Sequence, residues 1–159
     1  MITRKRVFSF VAFALLVLGA AVPVAFAANA QTITVVERQV DVNAGEFNPC
    51  TGTTGTITDD EQDVFHITTL ASGTLELSGH GTARVSFVPD EAGGIAYAGE
   101  ETFNFAATGN GPAFTTTVTT HLHLRGTDGS FITIGEVAHL TVTAGGVRVE
   151  LDRPTFACS

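Results

Sequence analysis

The 159-residue sequence has no tryptophan, one tyrosine, two cysteines and eight basic residues against 16 acids, for a net charge of -8. Each scarcity excludes something. A nucleic-acid binder needs a basic face to meet phosphates, and none can be assembled from so few cations. Two cysteines cannot build a four-cysteine zinc site or a dense disulfide scaffold. The chemical motifs are missing as well. There is no Gly-x-Ser-x-Gly elbow, no His-Glu-x-x-His zinc helix, no Cys-x-x-Cys pair and no glycine loop built to cradle phosphate. Polar residues do not dominate either: 44 % of the chain is apolar, too much for a disordered protein.

What is present begins with an address. Arg4, Lys5 and Arg6 precede an apolar run, Val7 to Leu18, broken only by Ser9. Gly19 and Pro23 follow, then two small-x-small sites, Ala25-Phe26-Ala27 and Ala28-Asn29-Ala30. That order predicts a secretory signal peptide over residues 1–30, removed after Ala27 or Ala30. An uncleaved membrane anchor would use the same apolar length, but Pro23 and the doubled cleavage site favour removal. No membrane span is expected afterwards. Residues 31–159 keep all 16 acids and only five basic residues, Arg38, Arg84, Arg125, Arg148 and Arg153, a net charge of -11 with no lysine.

Residues 31–159 read as one all-β domain. Threonine, valine, isoleucine and phenylalanine suit a pleated, half-buried surface. Turn signals recur at Asn43-Ala44-Gly45, Ser72-Gly73, Asp90 to Gly94, Gly109-Asn110-Gly111-Pro112, Asp128-Gly129 and Gly145-Gly146. Strands are expected near 32–42, 63–71, 74–88, 95–108, 113–125, 130–144 and 147–156, with a short extra one near 53–58. Leu75, Leu77, Ala83, Val85 and Phe87 share one parity, and Glu76, Ser78, His80, Thr82 and Arg84 the other. Such alternation belongs to antiparallel sheets with one dry face. Long strands in meander order predict a single up-and-down, lipocalin-like β-barrel of about seven or eight strands, with a β-sandwich as the alternative. Gly79 and Gly81 within a strand predict a bend or bulge.

In a secreted chain, Cys50 and Cys158 are expected to pair and to pin the last strand beside the first turn. With Asn48-Pro49-Cys50-Thr51-Gly52, a glycine-rich strand after His66, the lone Tyr97 and a final strand ending in Cys158, the chain resembles a group of small secreted proteins of actinobacteria and related soil bacteria. Thr53 stands where members of that group often carry an acid. The resemblance implies secretion, the disulfide and an all-β fold, and carries no catalytic residue.

The candidate chemistry is sparse. His121 and His123 lie two apart on one strand face, a spacing at which two imidazoles can share a zinc or copper ion. A third ligand would come from His66, His139, His80 or an acid. Thr119 and Arg125 share the same face, which suits ordinary solvated surface. Glu100 and Glu101 point to opposite faces and cannot act together as a glycosidase pair. The run Asp59-Asp60-Glu61-Gln62-Asp63 reads as a solvated loop able at most to hold calcium weakly. Three functions fit these features. The first is a secreted, non-enzymatic barrel binding a small apolar ligand or a surface partner. The second is a metal-binding protein or enzyme using His121 and His123. The third is a structural envelope protein.

Overall fold

The computed structural model describes residues 30–110, 113–143 and 146–159, and the signal-peptide reading falls almost wholly outside them. Seven strands follow in chain order: β1 (Gln31–Asn48), β2 (Thr53–Thr69), β3 (Leu75–Pro89), β4 (Tyr97–Asn110), β5 (Ala113–Gly126), β6 (Phe131–Thr143) and β7 (Gly146–Cys158). Each pairs antiparallel with the next, giving one sheet of order β1-β2-β3-β4-β5-β6-β7. Among the described residues no helix is long and apolar enough to cross a membrane.

Two local expectations are corrected. Residues 53–69 form one strand, not a short strand, a solvated loop and a second strand. The acid run is its middle, in unbroken register with β1 and β3. Nor do Gly79 and Gly81 mark a bulge, because the β2–β3 and β3–β4 ladders run through them without a shift. Their function is to leave room. Gly79 pairs with Phe105 and Gly81 with Phe103, and those rings occupy the space a Cβ would need. The register shifts fall elsewhere, between Asn43 and Glu46 on β1 and at His139/Leu140 on β6.

Cys50 and Cys158 form the disulfide, with Cα atoms 5.7 Å apart. This one distance shapes the sheet. Laid flat, seven strands would set the outer two about 29 Å apart at roughly 4.8 Å per strand. The turn after β1 nevertheless touches the end of β7, so the sheet is rolled at this end. The hydrogen-bonded order still ends at β1 and β7, and the sheet is not closed into a barrel. The turn is built for the bond. Asn48, itself buried, accepts from the Cys50 N–H through its side-chain oxygen at 2.9 Å. Gly52, at φ +73, donates its N–H to the Asn48 carbonyl at 2.8 Å. On the other side Ser159 and Phe131 exchange both backbone hydrogen bonds, holding the chain end against β6.

The apolar core sits at the disulfide end. Ile57, Val85, Phe87, Tyr97, Leu122, Leu124 and Ile132 pack there, with Cys50, Ile95 and Ile134 against them. The Tyr97 hydroxyl shares a hydrogen bond with Ser130 at 2.9 Å, which satisfies the one polar atom that ring brings in.

Candidate functional site

The inward face reads as a series of rows, each crossing the sheet through directly paired residues. Toward the disulfide end runs the row Asn43, Ile57, Phe87, Tyr97 and Gly126, followed by Asp41, Asp59, Val85, Gly99, Leu124 and Ile132. Next comes Gln39, Glu61, Ala83, Glu101, Leu122 and Ile134, and then Glu37, Asp63, Gly81, Phe103, Thr120 and Glu136. The following two rows are mainly apolar: Val35, Phe65, Gly79, Phe105, Val118 and Ala138, then Ile33, Ile67, Leu77, Ala107, Thr116 and Leu140.

Burial changes along this series. Asp59, Glu61, Asp63, Glu101 and Glu136 are all buried, a belt of carboxyls spread over three rows that overlap the upper part of the apolar core. Beyond the belt, Ile67, Leu77, Phe105, Ala107 and Val118 are only half-buried, and Ile33 is 58 % exposed. Phe65, Ala138, Thr116 and Leu140 in the same rows stay buried, so the inward face is sealed at the disulfide end and along β6, and forms a partly open apolar mouth over β2 to β5 at the other end. Three aromatic rings mark the transition: Phe65 and Phe105 lie 5.3 Å apart by centroid, and Phe103 and Phe105 6.5 Å.

Glu61 and Asp63 are the most perturbed groups of the belt. Neighbours two apart on a strand share a face, so these two carboxyls lie side by side. Burial raises the Glu61 carboxyl above its ordinary range, against a hydrogen bond from Gln39 Nε2 at 3.0 Å that favours its charged form. Burial, and then the charge of Glu61, push Asp63 up to about 7. Glu61 Oε1 and Asp63 Oδ1 are buried with no hydrogen-bond partner. Asp63 Oδ1 lies over Gly81, beside the Phe103 ring. A buried carboxylate oxygen without a donor is costly, and native proteins rarely leave one so.

The histidines are on the other face. His121 and His123 share one face, as their spacing predicts, and that face is the outward, exposed one. His123 stacks on Phe131 at 5.3 Å and shares a hydrogen bond with Thr133 at 3.3 Å. His66 bonds Thr34 at 3.0 Å and His139 bonds Thr117 at 2.8 Å. His66 lies on β2, three strands from His121. Among the described residues no three His, Cys, Asp or Glu side chains are grouped to hold a metal ion. The calcium reading of residues 59–63 meets the same geometry: strand alternation sends Asp60 and Gln62 outward and divides the run between two faces. Glu100 and Glu101 likewise separate, Glu100 exposed and Glu101 buried.

No protein-family model, curated protein or solved structure matches the chain.

The sequence reading missed Glu61 and Asp63 as inward groups. Residues 58–63 are polar on both parities, so alternation is silent there. The usable signal lay across the sheet, where β3 offers Gly79, Gly81 and Ala83, small residues that make room on one face.

Proposed function

We propose that the chain is a secreted, non-enzymatic binding domain that holds one small, largely apolar ligand on the inward face of its rolled sheet. The observation that carries this reading is the half-buried apolar mouth of Ile67, Leu77, Phe105, Ala107 and Val118 above a sealed end. Apolar concave surface left partly open is the common form of a small-molecule site. The holder is a lipocalin-like barrel whose seam lies between β1 and β7, a form supported by the Cys50–Cys158 clasp. Secretion is supported by the same disulfide, which persists in oxidising compartments, and by the order of residues 1–30. His121 and His123 are exposed on the outward face, away from the apolar mouth that carries this reading.

The test uses N-phenyl-1-naphthylamine, an uncharged apolar dye, whose signal is free of tryptophan background because the chain has none. Saturable binding of one dye per chain is expected, weakened at least tenfold by Phe105→Ala. Unsaturable binding, or binding indifferent to that substitution, overturns the reading.

A further inference from the structure

The two faces of the sheet differ in charge. Glu37, Asp41, Asp59, Glu61, Asp63, Glu101 and Glu136 occupy inward register positions. All five arginines of residues 31–159 stand at outward ones: Arg38 across from Gln62, Arg84 from Asp60 and Glu100, Arg125 from Ala98, Arg148 from Thr141 and Arg153 from Val137. His66, His80, His121, His123 and His139 are outward too. Negative charge is thus collected on the concave face, and among the described residues no cationic side chain is placed there with it. A cleft lined by one sign of charge with low-dielectric walls concentrates the opposite charge.

We propose that this face selects ligands carrying a primary ammonium group, its head between Glu61 Oε1 and Asp63 Oδ1 and its apolar body along Phe105 toward Ile67 and Leu77. The inference rests on the binding reading above and names the chemical class of its ligand. Four features of the site agree with it. Both oxygens are acceptors, each buried and lacking a donor, and an ammonium brings three N–H donors. The ring edge of Phe103 lies beside Asp63 Oδ1 and supplies an apolar wall next to that acceptor. The acid belt lies deeper than the apolar mouth, which fixes the order of head and tail. A metal ion needs several ligands converging on a point, which is not found among the described residues, whereas an organic cation needs only two acceptors and apolar walls. The charged groups facing Asp63 are Glu61 on its own strand and Glu37 on β1, while β3 presents Gly81 there. Asp63, held partly protonated near neutral pH, gives up its proton as the cation enters.

The experiment is displacement of the bound naphthylamine dye at pH 7 by three eight-carbon competitors, octylamine, 1-octanol and octanoate, each below its micelle concentration. Octylamine is expected to displace the dye at least tenfold more tightly than octanol, with octanoate weakest. In Asp63→Asn/Glu61→Gln the dye still binds and the preference for the amine is gone. Equal displacement by amine and alcohol in the natural chain, or a preference that survives the double substitution, overturns the inference while leaving the binding reading standing. Failure of the dye itself to bind overturns the binding reading instead. Should the double variant not fold, calorimetry of the natural chain in two buffers of different ionisation heat decides. Proton release on binding octylamine and none on binding octanol is expected, and equal release contradicts the inference.

Discussion

Gly81 lies directly across from Phe103, and the ring fills the space a Cβ on Gly81 would take, together with Asp63 Oδ1. A glycine inside a strand is ordinarily a weakness that alanine repairs. Here the sign reverses. Gly81→Ala is expected to lose about 1–3 kcal/mol by overpacking, read as a lower urea midpoint. Phe103→Ala should relieve part of that loss, so a double-mutant cycle between the two shows coupling. Gly135→Ala, whose Cβ would meet chiefly the movable Thr155 hydroxyl, is expected to cost less.

The clasp gives a second prediction. Cys50 and Cys158 are 108 residues apart in sequence, so the bond restrains nearly the whole unfolded domain. Cys50→Ala/Cys158→Ala is expected to lose up to about 4.7 kcal/mol on the chain-entropy account. Chemical denaturation of oxidised natural protein against the double variant checks this. An unchanged midpoint would mean that the ladders alone hold the rolled end.

Stability should fall as pH rises. Asp63 binds its proton more tightly folded, at about 7, than a free carboxyl at 3.8, and Glu61 is raised in the same direction. The contribution is fully present below about pH 4 and is lost as pH climbs through about 7, amounting to no more than about 4 kcal/mol for Asp63. The urea midpoint is therefore expected to be higher at pH 5 than at pH 8. Asp63→Asn should flatten that difference and raise the midpoint at pH 8.

Strand β1 is an edge of 18 residues with no lysine and no proline, and its outward Val36, Val40 and Val42 are exposed. Such an edge invites pairing with another chain. Val40→Lys is expected to change stability by no more than about 0.5 kcal/mol while slowing the rise of light scattering on heating. Equal scattering would show that aggregation starts elsewhere.

These residues also show where sequence reading ends. Alternation made β3 legible, because Val85 and Phe87 are apolar where Arg84 and Ser86 are not, and it set His121 and His123 on one face. The cysteine pairing was legible from their number and from the secretion expected of the chain. Strand β2 was not. Between Thr58 and Val64 both parities are polar, so local pattern favours a loop, and only pairing with β1 and β3 makes it a strand. Gly79 and Gly81 were misread for a related reason. A glycine's local meaning is a bend, and the rings that fill its place lie on β4, more than 20 residues away. The site was hidden by the same non-local fact, since a carboxyl becomes perturbed only when its neighbours across the sheet bury it.

The most direct measurement is an amide nuclear magnetic resonance titration of the isotope-labelled domain with octylamine at pH 7. Saturating shifts centred on Glu61, Asp63, Gly81, Phe103 and Phe105, with His121 and His123 unmoved, are predicted. Shifts confined to the outward face, or none that saturate, would contradict an inward site for an organic cation.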